Sequence, residues 1–81
     1  MTVAERAHYI AAVVHAIHGK TPEAARISSA DFDIVAKWMD RDIPLRVVLQ
    51  GIEDMDKPAS IRHARPAIEQ EIERWHRAVP R

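Results

Sequence analysis

The chain contains no cysteine. That excludes disulfides, thiolate metal sites and cysteine nucleophiles in one step. It has only two glycines, Gly19 and Gly51, too far apart to build a phosphate-cradling loop. Aromatic side chains are scarce too: Tyr9, Phe32, Trp38 and Trp75 are all there are. No apolar run approaches the roughly 18 residues of a membrane span, and no basic segment leads into an apolar core of secretory length. A cytoplasmic location is the resulting expectation. Charge of one sign is also missing, since twelve basic and twelve acidic residues cancel. A neutral chain has no global field that draws it to nucleic acid or an anionic membrane.

What is present reads as a single small domain over residues 1–81. Its 47% apolar content, mostly Ile, Val, Leu and Ala, is the material of helical bundles. Residues 3–18 predict a first helix, with Val3, Ala7, Ile10, Val13, Val14 and Ile17 at helical spacing on one face. Thr2 and Glu5 have capping-box spacing, and Gly19 stands where a left-handed C-terminal residue is wanted. Thr21-Pro22-Glu23 has the form of a cap and a first helical turn.

A second helix is expected over 29–41. Ser28 and Asp31 have capping-box spacing, Ile27 and Phe32 that of a hydrophobic staple, and Phe32, Val35, Trp38 and Met39 share a face. Pro44 disfavours helical geometry at Ile43 and suits the first position of a third helix over 44–55. That helix carries Leu45, Val48, Leu49, Ile52 and Met55 on one stripe. A fourth element over 60–78 places Ile61, Ala64, Ile68, Ile72, Trp75 and Val79 together. Pro66 interrupts it, so either the helix restarts there or one helix bends. Nothing alternates with a strand's period. The expected fold is all-α, a compact bundle of about four helices with a helix-turn-helix-like corner at 41–44.

The chemistry-bearing residues have structural explanations. His8, His15 and His18 lie within one helix, but zinc requires three or four converging ligands, and His8 and His15 fall opposite the apolar stripe. Glu53-Asp54-Met55-Asp56 lacks the alternating oxygens, central glycine and closing glutamate of a calcium loop. Ser28 and Ser29 read as caps rather than nucleophiles. No cofactor, metal or catalytic residue is therefore expected. At the corner, only Arg46 and Gln50 could reach a DNA groove, and Asp40, Asp42, Glu53, Asp54 and Asp56 would oppose phosphate.

Residues 27–55, "ISSADFDIVAKWMDRDIPLRVVLQGIEDM", are similar to a pattern in short bacterial helical proteins of unassigned function. That pattern has a capped Asp-Phe, a helix ending in Trp, a Gly-Ile-Pro-Leu corner and a Val-Leu-x-Gly-Ile helix; Asp42 stands here in place of the corner glycine. More distantly, the order of elements resembles the C-terminal helical domain of the DnaD/DnaB replication-initiation family. Tyr9-Ile10, Trp38, Val48-Leu49, Ile52, Ile68, Ile72 and Trp75 carry this likeness. Ala67 departs from it where the final helix should have a tyrosine, and Glu71 departs from it at an aliphatic position. The resemblance implies a helical fold and an association with DNA.

Two functional expectations follow. The first is a non-enzymatic module that contacts protein or a second copy of itself, with Val47, Gly51, Trp75 and Val79 as interface residues. The alternative is a DNA-associated module. Residues 61–81 hold five arginines against three glutamates, so Arg62, Arg65, Arg74, Arg77 and Arg81, with Arg46 adjacent, would contact phosphate.

Overall fold

The computed structural model describes residues 1–24 and 26–79. Four helices, α1 (Val3–Lys20), α2 (Ser29–Asp40), α3 (Leu45–Glu53) and α4 (Ile61–Ala78), surround one aliphatic core, with no strand among the described residues. The expected all-α bundle is what is observed.

Helix α1 starts as expected: the Thr2 hydroxyl accepts from the Glu5 N–H at 3.1 Å and donates to its carboxylate at 3.2 Å. It does not stop at Gly19, which lies inside the helix with negative φ. The stop comes from Pro22, which forces Thr21 into extended geometry (φ −137°, ψ 82°). Pro22 and Glu23 then form a turn closed by Ala24 N–H donating to the Thr21 carbonyl, in place of the expected helical turn.

Helix α2 has the full capping box: Ser28 Oγ accepts from the Asp31 N–H, and the Asp31 carboxylate accepts from the Ser28 N–H at 3.0 Å. Asp31 is buried and does a second job. Its other oxygen accepts from the Arg62 N–H at 3.3 Å, in the first turn of α4. One carboxylate thus serves the exposed donors of two helix N-termini. Phe32, expected on the core face, is instead 46% exposed.

The corner after α2 is a Schellman motif. Asp42, at φ 56°, donates its N–H to the Met39 carbonyl, and Ile43 donates to that of Trp38. Ile43 and Trp38 are both buried, which supplies the apolar contact that goes with this motif. Among the described residues, position 42 is the one with positive φ. Pro44 (ψ 138°) caps α3 rather than opening it, and α3 ends at Glu53, short of the expected 55.

Five polar links and one close backbone approach orient the helices. Arg6 pairs with Asp40 at 3.4 Å, so the start of α1 lies beside the end of α2. The Tyr9 hydroxyl donates to the Ile43 carbonyl at 2.8 Å, and Lys20 Nζ reaches the Glu53 carbonyl, so α1 runs along α3 in the same sense. Asp31–Arg62 and Trp38–Glu69 set α2 parallel to α4. Gly51 meets the Ile68 backbone where α3 crosses α4. Pro66 neither restarts the chain nor ends it: α4 is one helix through it, and the ring sits on the exposed side.

Candidate interaction surfaces

The interface residues expected from sequence divide in two. Val47 and Gly51 are buried against α4, so the backbone that Gly51 admits belongs to the same chain. Trp75 is half-buried, and Val79, beyond the last helical residue, is 41% exposed. Val47 and Trp75 do meet in a shallow cleft between α3 and α4. Arg46, Gln50, Glu71, Arg74 and Ala78 complete its walls. Trp75 leans on His76, ring centroids 4.9 Å apart.

The arginines do not form one surface. Arg62 Nε lies 3.5 Å from the Asp31 carboxylate, on the α2 side of α4. Arg74 turns the other way, to Glu71 at 2.9 Å and to Asp54 of α3 at 4.0 Å. Arg46 and Arg77 are exposed, on α3 and at the end of α4. Arg81 lies outside the described residues.

Arg65 belongs to a pocket that sequence reading missed, lined by Ile34, Lys37, Trp38, Asp40, Arg41, Arg65 and Glu69. Glu69 is its hub. Trp38 Nε1–H and the Arg41 guanidinium both donate to Glu69 Oε1 at 3.0 Å. Burial works against the charge on Glu69, but the Trp38 and Arg41 hydrogen bonds, with the fields of Arg41 and Arg65, hold its carboxyl below the ordinary value of 4.5. Of the basic lining, Arg41 is engaged by Glu69, and Arg65 adds its field to the same carboxylate. A signal for it existed in the sequence, because a buried Trp needs an acceptor and Glu69 is on the edge of the α4 stripe.

The third surface lies on α1. The helix buries Tyr9, Val13 and Ile17. The positions Val3, Ala7, Ile10 and Val14 are centred about a quarter of a turn away, at 3.6 residues per turn. Val3 is 86% exposed, Ala7 is exposed, and Ile10 and Val14 are only half-buried. The single apolar face expected for this helix is thus only partly covered: Ile10 packs against the core, while Val3 and Ala7 are left to water. Ala4 and Ala11 extend the uncovered side. Ala4 and Met1 also border a groove of about 480 Å³ between the start of α1 and the corner, floored by Tyr9, Ile43, Pro44 and Leu45.

The histidines remain apart. His8 and His15 are exposed, and His63 Nδ1 accepts from the Ala59 N–H at 2.9 Å, a local bond at the start of α4. Among the described residues no three His, Asp or Glu side chains gather where a metal ion could sit, and no helix is long and apolar enough to cross a membrane. Comparison with family models, curated proteins and solved structures finds no match.

Proposed function

We propose that this chain is a non-enzymatic helical binding module acting by protein–protein contact, and that its docking face is the uncovered side of α1. The observation that carries this reading is the split apolar pattern of α1. A periodic stripe on a surface helix normally faces the core. Here its members Val3 and Ala7 are left to water while Tyr9, Val13 and Ile17 take the core positions. Contiguous exposed apolar surface of this kind marks interaction sites far more often than scattered single residues do. Trp75 and Val79 offer a smaller second contact at the far end of α4.

The DNA-associated alternative has less support. Arg6, Arg41, Arg62 and Arg74 are each engaged by a carboxylate of the same chain. Arg62 and Arg74 also lie on opposite flanks of α4. Phosphate contact would require breaking these pairs.

The reading is tested by placing a photo-crosslinking residue at Ala7 in the full chain in cells, with Gln70, exposed on α4, as control. A discrete protein adduct at position 7 and none at position 70 is expected. No adduct at position 7, or equal adducts at both, overturns it. Strong low-salt DNA binding that is weakened by R65E/R77E and untouched by A7E would move the function to the alternative.

A further inference from the structure

Resting on the reading that this chain acts by protein contact, we infer that the pocket between α2 and α4 receives an acidic side chain of the partner, its carboxylate held between Lys37 and Arg65. These two cations line the pocket from its two walls, Lys37 on α2 and Arg65 on α4. Both are exposed, and among the described residues neither forms an ion pair. Each has a carboxylate one turn away on its own helix, Asp33 before Lys37 and Glu69 after Arg65, and pairs with neither. Arg6, Arg41, Arg62 and Arg74, by contrast, are each met by a carboxylate of the chain.

The carboxylates of the pocket itself do not answer these two charges. Asp40 is taken by Arg6 at 3.4 Å. Glu69 is taken by the Trp38 Nε1–H and by Arg41, both at 3.0 Å. Arg65 acts on Glu69 through its field, without a salt-bridge contact. Lys37, Arg41 and Arg65 thus line the space against Asp40 and Glu69, and Arg6 already shares Asp40. An ammonium with three N–H groups and a planar guanidinium with five are open to an incoming carboxylate.

Size selects the occupant. The pocket holds about 260 Å³, room for roughly eight water molecules, so it takes one side chain and not a helix. Half-buried Ile34 gives an apolar wall for the methylenes behind a carboxylate. Nucleic acid fits less well, because a duplex presents rows of phosphates that call for a continuous basic strip. Arg62 and Arg74 lie on opposite flanks of α4 and do not extend such a strip from the pocket. Because the two cations are exposed, the site contributes choice of an acidic partner and faster encounter at low salt more than affinity.

The indole N–H resonances of the isotope-labelled chain provide the test, since Trp38 lines this pocket and Trp75 the cleft between α3 and α4. Capped tetraglutamate at low salt should shift the Trp38 indole and the amides of Lys37 and Arg65 saturably, and leave the Trp75 indole in place. Capped tetraglutamine should shift none of them. K37Q and R65Q change exposed positions, so each should keep the helical circular dichroism and weaken binding by up to about fivefold. The double variant should lose saturation, and R77Q, at the exposed end of α4, should bind as wild type does. Equal shifts at Trp75, or unchanged binding by the double variant, would overturn the site. Tighter binding of glutarate or of a short DNA duplex at the same resonances would overturn the choice of occupant. If tetraglutamate fails while position 7 still crosslinks to a partner, this inference falls and the binding reading stands. Saturable binding at Trp38 with no adduct at position 7 would keep the pocket and overturn the α1 face.

Discussion

An alanine at position 51 would set its methyl carbon 2.6 Å from the Ile68 Cα and 2.9 Å from its Cγ1. Backbone cannot swing aside as a flexible side chain can, so α3 and α4 would have to separate at the centre of the core. G51A should cost about 2–3 kcal/mol despite alanine's better helix propensity, read as a lower urea midpoint. Asp42 presents the reverse case. Its φ of 56° suits glycine, and aspartate tolerates it better than most L-residues without being free of cost. D42G should therefore stabilise the fold by about 0.5–1 kcal/mol in the same measurement, and D42V should destabilise it. Loss of stability in D42G would mean that the Asp42 carboxylate does something beyond turning the chain.

Among the helices, α4 carries an internal proline at an exposed position. Pro66 denies the Arg62 carbonyl its donor and crowds it. P66A should raise the melting temperature and add about 1–3 kcal/mol, with no change in helix boundaries by NMR chemical shifts. That α4 survives its proline reflects tertiary packing, because Ile61, Ala64, Ile68 and Ile72 are all buried on the side away from it. This is also why the sequence could not decide between a bend and a restart: local cost argued for a break, and burial, which depends on α2 and α3, overrode it. Helix boundaries set by local chemistry were legible, as at Ser28–Asp31 and Thr2–Glu5. Those set by neighbours were not. Asp31 looked like an ordinary cap, and its second bond to Arg62 required knowing that two helix starts converge. The α1 stripe was legible as apolar but not as partly covered, since periodicity records which residues are apolar and not which of them the fold covers. Val47 and Gly51 were read as open to a partner for the same reason; α4 of the same chain meets both.

For the molecule as a whole, charge contributes little at neutral pH. The net charge is zero, and most ion pairs, such as Arg6–Asp40 and Arg74–Glu71, join groups in contact with water, where such pairs are weak. Acid and alkali act instead through two hydrogen-bonded groups. Glu69 has a lowered folded value, so its contribution is present above the ordinary carboxylate range and is lost as pH falls through the folded value. Tyr9 is the stronger lever. Burial pushes its hydroxyl from 10.0 up to about 12, and only the protonated form can donate to the Ile43 carbonyl. A folded value above the unfolded one means that the contribution is complete below pH 10 and is lost as pH rises toward 12. Within that window the unfolded chain ionises first, and stability should fall by up to about 1.4 kcal/mol per pH unit. Y9F should be less stable than wild type at pH 7 by about 1–2 kcal/mol, because the Ile43 carbonyl is left buried without its donor. Its urea midpoint should nevertheless stay flatter between pH 10 and 12. Equal alkaline slopes in the two proteins would show that the tether between α1 and the corner does not govern the alkaline limit of the fold.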